Sequence, residues 1–104
     1  MLLTEVQNYI KCSKIYKLDK KSINFKYIFT NSKNIIKNSI LVIKDSKKFK
    51  KEFINEAINK GAIAIITKKY INDIKLTQFI VNNIDQTIFK LTNKIRSVKP
   101  KNSL

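Results

Sequence analysis

The chain has 104 residues and a mass of 12.2 kDa, enough for one compact domain and too few for two. Hydrophobic residues make up 43% of it, which excludes a disordered polar segment, and the net charge of +15 raises the question of anionic partners. With no histidine and a single cysteine, Cys12, it excludes imidazole catalysis, histidine metal sites, an intramolecular disulfide and a thiolate cluster.

In chain order, residues 1–10 set Leu2, Leu3, Val6 and Ile10 at roughly helical spacing and predict a short helix. The interruption by Glu5 and Gln7 and the lack of a basic start argue against a signal peptide. Residues 11–21 read as a basic connector. In residues 24–30, Phe25, Tyr27 and Phe29 alternate as in a strand that turns its rings to a core. Residues 31–39 form a polar loop with an Ile35-Ile36 insert, and residues 40–43 are a buried strand.

Residues 48–60 carry Phe49, Phe53, Ile54, Ala57 and Ile58 on one helical face, all expected in the core. Gly61 follows where a left-handed C-cap belongs. Residues 62–67 are then an apolar run of strand length. Strand, helix and strand make a βαβ unit, so the two strands should be parallel.

Residues 70–75 are a turn and residues 78–81 a further strand. Asn83 or Asp85 caps a last helix whose Ile88, Leu91, Ile95 and Val98 recur at three- and four-residue steps, and Pro100 ends it. Gly61 is the only glycine, so Asn31, Asn34, Asn38, Asn72, Asn82 and Asn83 supply the turns. The fold class is α/β: a single small domain with a mixed or mostly parallel sheet flanked by helices. No apolar run approaches the ~20 residues of a membrane span, so a cytoplasmic protein without membrane contact is expected.

The charge has a compositional explanation. Isoleucine, lysine and asparagine (19, 21 and 12 residues) fill half the chain, and all three have A/T-rich codons. A surface selected for polyanions would use arginine for forked phosphate contacts, and Arg96 is the only one.

The order of segments is distinctive. A strand ends in Thr30-Asn31-Ser32-Lys33, a loop leads to Asn38-Ser39-Ile40-Leu41-Val42, and residues 53–66 read F-I-N-E-A-I-N-K-G-A-I-A-I-I. This resembles the N-terminal domain of the Mur ligases, most closely the MurE type, which adds the third amino acid of the peptidoglycan stem peptide. That family has D-S-R or N-S-K after its first strand and F-I-x-x-A-I-x-x-G-A-x-A-I-I later. The resemblance covers about residues 20–104, and residues 53–66 are its most specific part.

It implies a Mur ligase N-terminal fold over residues 1–98, with residues 99–104 a severed linker to an ATP-binding domain. Such a domain holds the uridine-diphosphate end of a UDP-N-acetylmuramyl peptide. It has no catalytic residue, metal or cofactor of its own; ATP and magnesium belong to the parent ligase. The expected partners are that precursor and the remaining ligase domains, and the process is peptidoglycan synthesis, with cell shape and division downstream of it.

By the same resemblance Ser32 contacts the nucleotide and Thr30 lines the uracil pocket. Asn31 and Lys33 stand for the commoner Asp and Arg, and Asn38 for a turn glycine. The family's glycine-bearing stretch after the second strand is here Lys44-Asp45-Ser46-Lys47-Lys48, one residue shorter and without glycine. Lys47, Lys48, Lys50 and Lys51 crowd the start of the clearest helix, where cations are disfavoured by about 0.3–1 kcal/mol each unless an anion sits there. Either a diphosphate sits near Ser32, Ser46, Lys47 and Lys48, or lysine is simply abundant and solvent screens its placement there. The alternatives are a small basic nucleic-acid-binding protein, or a degenerate ligase fragment that binds nothing. No RNP signature, KH-type loop or zinc-ligand set supports the former.

Overall fold

The computed structural model describes residues 1–16, 24–45, 47 and 49–97. Part of the expected connector (17–21), Ser46, Lys48 and the helix stop and linker expected at 98–104 lie outside the described residues.

A 3₁₀ turn (Leu3–Glu5) leads into α1 (Val6–Tyr9), followed by β1 (Lys14–Tyr16), β2 (Ile28–Phe29), a second 3₁₀ turn (Ser32–Asn34) and β3 (Ser39–Val42). Then come α2 (Lys51–Lys60), β4 (Ala62–Thr67), β5 (Thr77–Ile80) and α3 (Ile84–Ser97). The strands form one sheet in the order β1-β5-β4-β3-β2, parallel from β2 to β5, with β1 antiparallel to β5 at one edge.

The steps from β2 to β3, β4 and β5 all move one strand in the same direction. Connections of one hand that step in one direction cross one face of a sheet, and the burial agrees. Ile35 from the first connection, Ile54 and Ala57 from α2, and Ile74 and Leu76 from the third cluster over Leu41 and Ile65. The other face is left to the chain ends. There Leu3, Val6, Ile10, Phe25 and Leu91 cover Ile40, Val42, Ala64, Ile66 and Phe79. Because β3 and β4 are covered on both faces, they are continuous apolar runs rather than alternating ones. Each large aliphatic or aromatic side chain among these contributes about 1.5–3 kcal/mol by leaving water.

Several expectations are corrected. The connector contains β1, which pairs Lys14 with Ile80 and Tyr16 with Gln78. Three residues of mixed polarity carry no period, so only the partner strand reveals it. Only Ile28 and Phe29 of the expected 24–30 strand are strand. Phe25 packs under α1 and α3 whereas Phe29 packs on the α2 side, and Tyr27 between them is 52% exposed. An uninterrupted strand would put all three on one face; this segment is irregular until Ile28, so the shared face is lost.

Helix α2 begins at Lys51, so Phe49 precedes it and meets Phe53 edge-on, with centroids 5.5 Å apart. Phe53 is 37% exposed, at the rim of the buried Ile54 and Ala57 stripe, not in the core. Ile88 and Ile95 are half-buried against the core and Leu91 is fully buried.

The caps fall close to where the spacing puts them, but of the six turn asparagines only Asn38 takes a positive φ, and in the 70–75 turn Asp73 does so (φ 62°) instead of Asn72. Gly61 adopts φ 111° and its N–H meets the carbonyls of Ala57 and Ile58. Asn38 takes a left-handed φ of 59°, and its N–H bonds Gly61 O at 2.8 Å. Of the two candidate caps of α3, Asn83 is the one that closes the helix start, since its Oδ1 accepts from Gln86 N at 3.0 Å. Asp85 instead lies inside the first turn. Replacing Asn83 by alanine should cost about 1 kcal/mol, read as a lower urea midpoint with an unchanged slope; Asp85→Ala should cost less.

Candidate functional site

Parallel strands deliver the segments after them to one edge of the sheet, where loops and helix starts converge. Here Thr30 leaves β2, Lys44 follows β3, Lys68 follows β4 and Asn82 follows β5, and both α2 and α3 begin at this edge. Lys44, Lys68, Asn82, Asn83, Ile84 and Asp85 line an open cleft of about 520 Å³ there.

Local bonding shapes its rim. Buried Thr67 uses its hydroxyl twice, donating to Lys69 O at 3.1 Å and accepting from Lys69 N at 3.3 Å, so Lys68 heads a tight turn. Asp45 Oδ1 accepts from Lys47 N at 3.0 Å and folds the loop after β3. Lys44 Nζ lies 3.5 Å from Asp85 Oδ1, and Lys51 Nζ lies 3.4 Å from Asp73 Oδ2. All four groups are well exposed, so solvent screens these pairs and they remain free to exchange partners.

The residues expected to bind divide into two groups. Thr30 is exposed at the end of β2, and Lys47 precedes α2 on the same edge. Asn31, Ser32 and Lys33 turn away from that edge and run beside the second half of α2. Asn31 Oδ1 caps this turn by accepting from Lys33 N at 2.9 Å. Ser32 is buried, and its hydroxyl donates to Glu56 Oε1 at 2.8 Å. Lys60 closes the set, with Nζ 4.0 Å from Glu56 Oε2 and a 3.0 Å bond to Lys33 O. Glu56 lies six residues into the helix, about 9 Å along its axis from the Lys50 cap. The structure thus ties the asparagine-serine-lysine turn to Glu56 and Lys60 rather than to the lysine-rich start of α2. Ser46 and Lys48 lie outside the described residues.

Lys68, Asn82, Asn83 and Asp85 were not foreseen as one cleft. The signal was the first polar residue after each apolar run, but it acquires meaning only once the strands are known to be neighbours in that order. Cys12 takes no part in this edge. It is half-buried against the core, and burial pushes its thiol above its ordinary pKa, which disfavours the reactive thiolate.

No family model and no curated protein matches the chain in sequence. Solved structures do match in shape. Crystal structures I and II of MurF from Acinetobacter baumannii superpose with TM-scores of 0.70 and 0.69 at 16% identity, over 86% of this chain. The fold is one that MurF contains. A structure of UDP-N-acetylmuramoylalanyl-D-glutamyl-2,6-diaminopimelate--D-alanyl-D-alanyl ligase from the same organism superposes equally, with a TM-score of 0.69, 16% identity and 86% coverage. The chain spans about a fifth of each of these proteins, 20% of their length. The five-stranded, mostly parallel α/β architecture is therefore of the class read from the sequence. Among the described residues no helix is long and apolar enough to cross a membrane.

Proposed function

We propose that the chain is the substrate-holding unit of a Mur ligase, taking the uridine-diphosphate end of a UDP-N-acetylmuramyl peptide while other ligase domains supply ATP, magnesium and the amide-forming chemistry. Residues 1–98 form that unit, and residues 99–104 belong to the connection beyond it. The observation that carries this reading is the likeness to MurF over 86% of the chain. The finer assignment, to the MurE type, rests on the motif in residues 53–66.

The carboxyl edge of the sheet suits a nucleoside diphosphate. Exposed lysines at 44, 47 and 68 offer ammonium groups, and the exposed Thr30 and Asn82 offer neutral hydrogen-bonding partners. Ser32 has a narrower part. Its proton is already given to Glu56, so the hydroxyl has only acceptor capacity left. Phosphate oxygens cannot use an acceptor, whereas a uridine N–H or ribose hydroxyl can. Ser32 lies away from the carboxyl edge and so pairs only with a nucleoside that extends past the start of α2, while Lys47 with Lys48 and Ser46 belongs with the diphosphate.

Calorimetric titration with UDP and with the muramyl peptide precursor tests this. Saturation at one site with weak salt dependence is expected. Converting Lys47 and Lys48 together to glutamine should weaken UDP about tenfold, the worth of one charge-assisted contact. Absence of saturable binding, or unaltered affinity in the double variant, would remove the reading. Tight oligonucleotide binding that falls steeply with salt would favour the nucleic-acid alternative.

A further inference from the structure

The outward stripe of α3 breaks the rule that its inward stripe obeys. Asp85, Gln86, Phe89, Lys90 and Asn93 recur at the spacing of one solvent-facing side, and Phe89 stands at its centre. Its ring is 66% exposed, the most open of the large apolar side chains among the described residues. Beside it α1 contributes Tyr9, whose ring lies under Lys94 Nζ at 4.7 Å from the centroid. Tyr9, Phe89, Lys90, Asn93 and Lys94 line a groove of about 400 Å³ between the two helices.

Among the described residues no carboxylate lines the groove. Asp85 is the only carboxylate on α3, and it sits at the far end, paired with Lys44. Glu5, the acid that precedes α1, accepts a bond from Leu2 N at 2.8 Å. Lys90 has no ion-pair partner among the described residues. An apolar centre with Lys90 on its rim is complementary to an apolar side chain flanked by a carboxylate.

We infer that the groove between α1 and α3 docks an acidic segment of a partner protein, one apolar side chain lying against Phe89 and Tyr9 and a flanking carboxylate meeting Lys90. A second copy of the chain fits less well. A two-fold contact would set Lys90 and Lys94 against their own counterparts, on a molecule already at +15. A single-stranded nucleic acid needs a continued basic track with successive stacking rings, and this groove has two lysines around one cleft. The groove lies over the face carrying α1 and α3, with no residue in common with the cleft at the carboxyl edge. Docking there leaves the carboxyl-edge cleft uncovered.

The test is fluorescence anisotropy of a short labelled polyglutamate peptide with one central phenylalanine, titrated with the intact chain. A peptide with serine in that place and an oligothymidylate of similar length are the comparators. The phenylalanine peptide should bind about tenfold tighter than the serine peptide. Phe89→Ala should erase that difference and leave the serine peptide unchanged, while Lys90→Glu weakens both. Phe89 is exposed, so Phe89→Ala should melt like the parent, which circular dichroism checks. Equal affinity for the two peptides, or no effect of Phe89→Ala, would overturn the inference by reducing it to charge alone. So would an oligothymidylate whose binding depends on Phe89, or a Phe89-dependent dimer in sedimentation equilibrium.

Discussion

Changing Gly61 to alanine is expected to destabilise the domain by about 3 kcal/mol or more, lowering the thermal midpoint by on the order of 10–20 °C. Two independent costs combine. The φ of 111° is a conformation that a residue with a Cβ rarely adopts. The added Cβ would also stand 2.5 Å from Lys37 Cα and 3.1 Å from Lys37 N. These obstacles are backbone, so no rotamer change relieves them. Relief requires moving the end of α2 away from the turn before β3, which breaks the bond from Asn38 N to Gly61 O. Lys60→Ala, one residue earlier on the exposed end of the helix, is the control and should cost less than about 1 kcal/mol. Thermal melts followed by circular dichroism settle it: a Gly61→Ala protein within about 1 kcal/mol of the parent contradicts the close approach to Lys37.

The second large effect is expected at Gln78. Its side chain is completely buried on β5, an interior strand next to the edge strand β1, an unusual place for an amide. Nε2 donates to Ile71 O at 2.8 Å and Oε1 accepts from Ile71 N at 3.0 Å. One side chain thus satisfies both main-chain groups of Ile71 and holds the 68–76 connection as a neighbouring strand would. Gln78→Leu fills the same space but strands a donor and an acceptor; with Ile71 only half-buried, about 2–3 kcal/mol should be lost. Amide exchange at Ile71 should accelerate more than exchange at residues of β4.

Gln78→Glu separates the two halves of that contact. The carboxylate still accepts from Ile71 N but faces Ile71 O without a proton, so the charged form is disfavoured and its folded-state pKa lies above the ~4.3 of an unfolded glutamate. The group then contributes its full stability below that unfolded value, where its proton bonds the carbonyl. The contribution is lost as pH rises through the folded pKa. Urea titrations across the acid range should show this variant approaching the parent at low pH and diverging from it at neutral pH. A constant deficit would mean that the amide serves packing alone.

Much of the fold was legible because its strongest signals are local. The stripe of Ile54, Ala57 and Ile58, the stop at Gly61 and the apolar run of β4 are properties of neighbouring residues, and each appears where the spacing put it. The same holds for Asn38, whose tolerance of positive φ stands in for a glycine. β1 was hidden because its three residues are a strand only by virtue of β5. The exposure of Tyr27 was hidden because alternation describes a strand, and here the strand starts one residue later. At the candidate site the separation was similar. Lysines after apolar runs are visible in one dimension, but the partner of the Ser32 hydroxyl is 24 residues away in α2.

By itself, then, the order of residues determined the class of fold, the βαβ unit, the Gly61 cap and the lack of histidine chemistry, since periodicity, φ tolerance and side-chain inventory act over a few residues. Tertiary structure alone decided which strands are neighbours and which polar residues share the carboxyl edge. It also turned Ser32 toward Glu56 and left Phe89 facing solvent. Those outcomes depend on which segments compete for the two faces of one sheet, a choice settled by burial over the whole chain and not by any stretch of it.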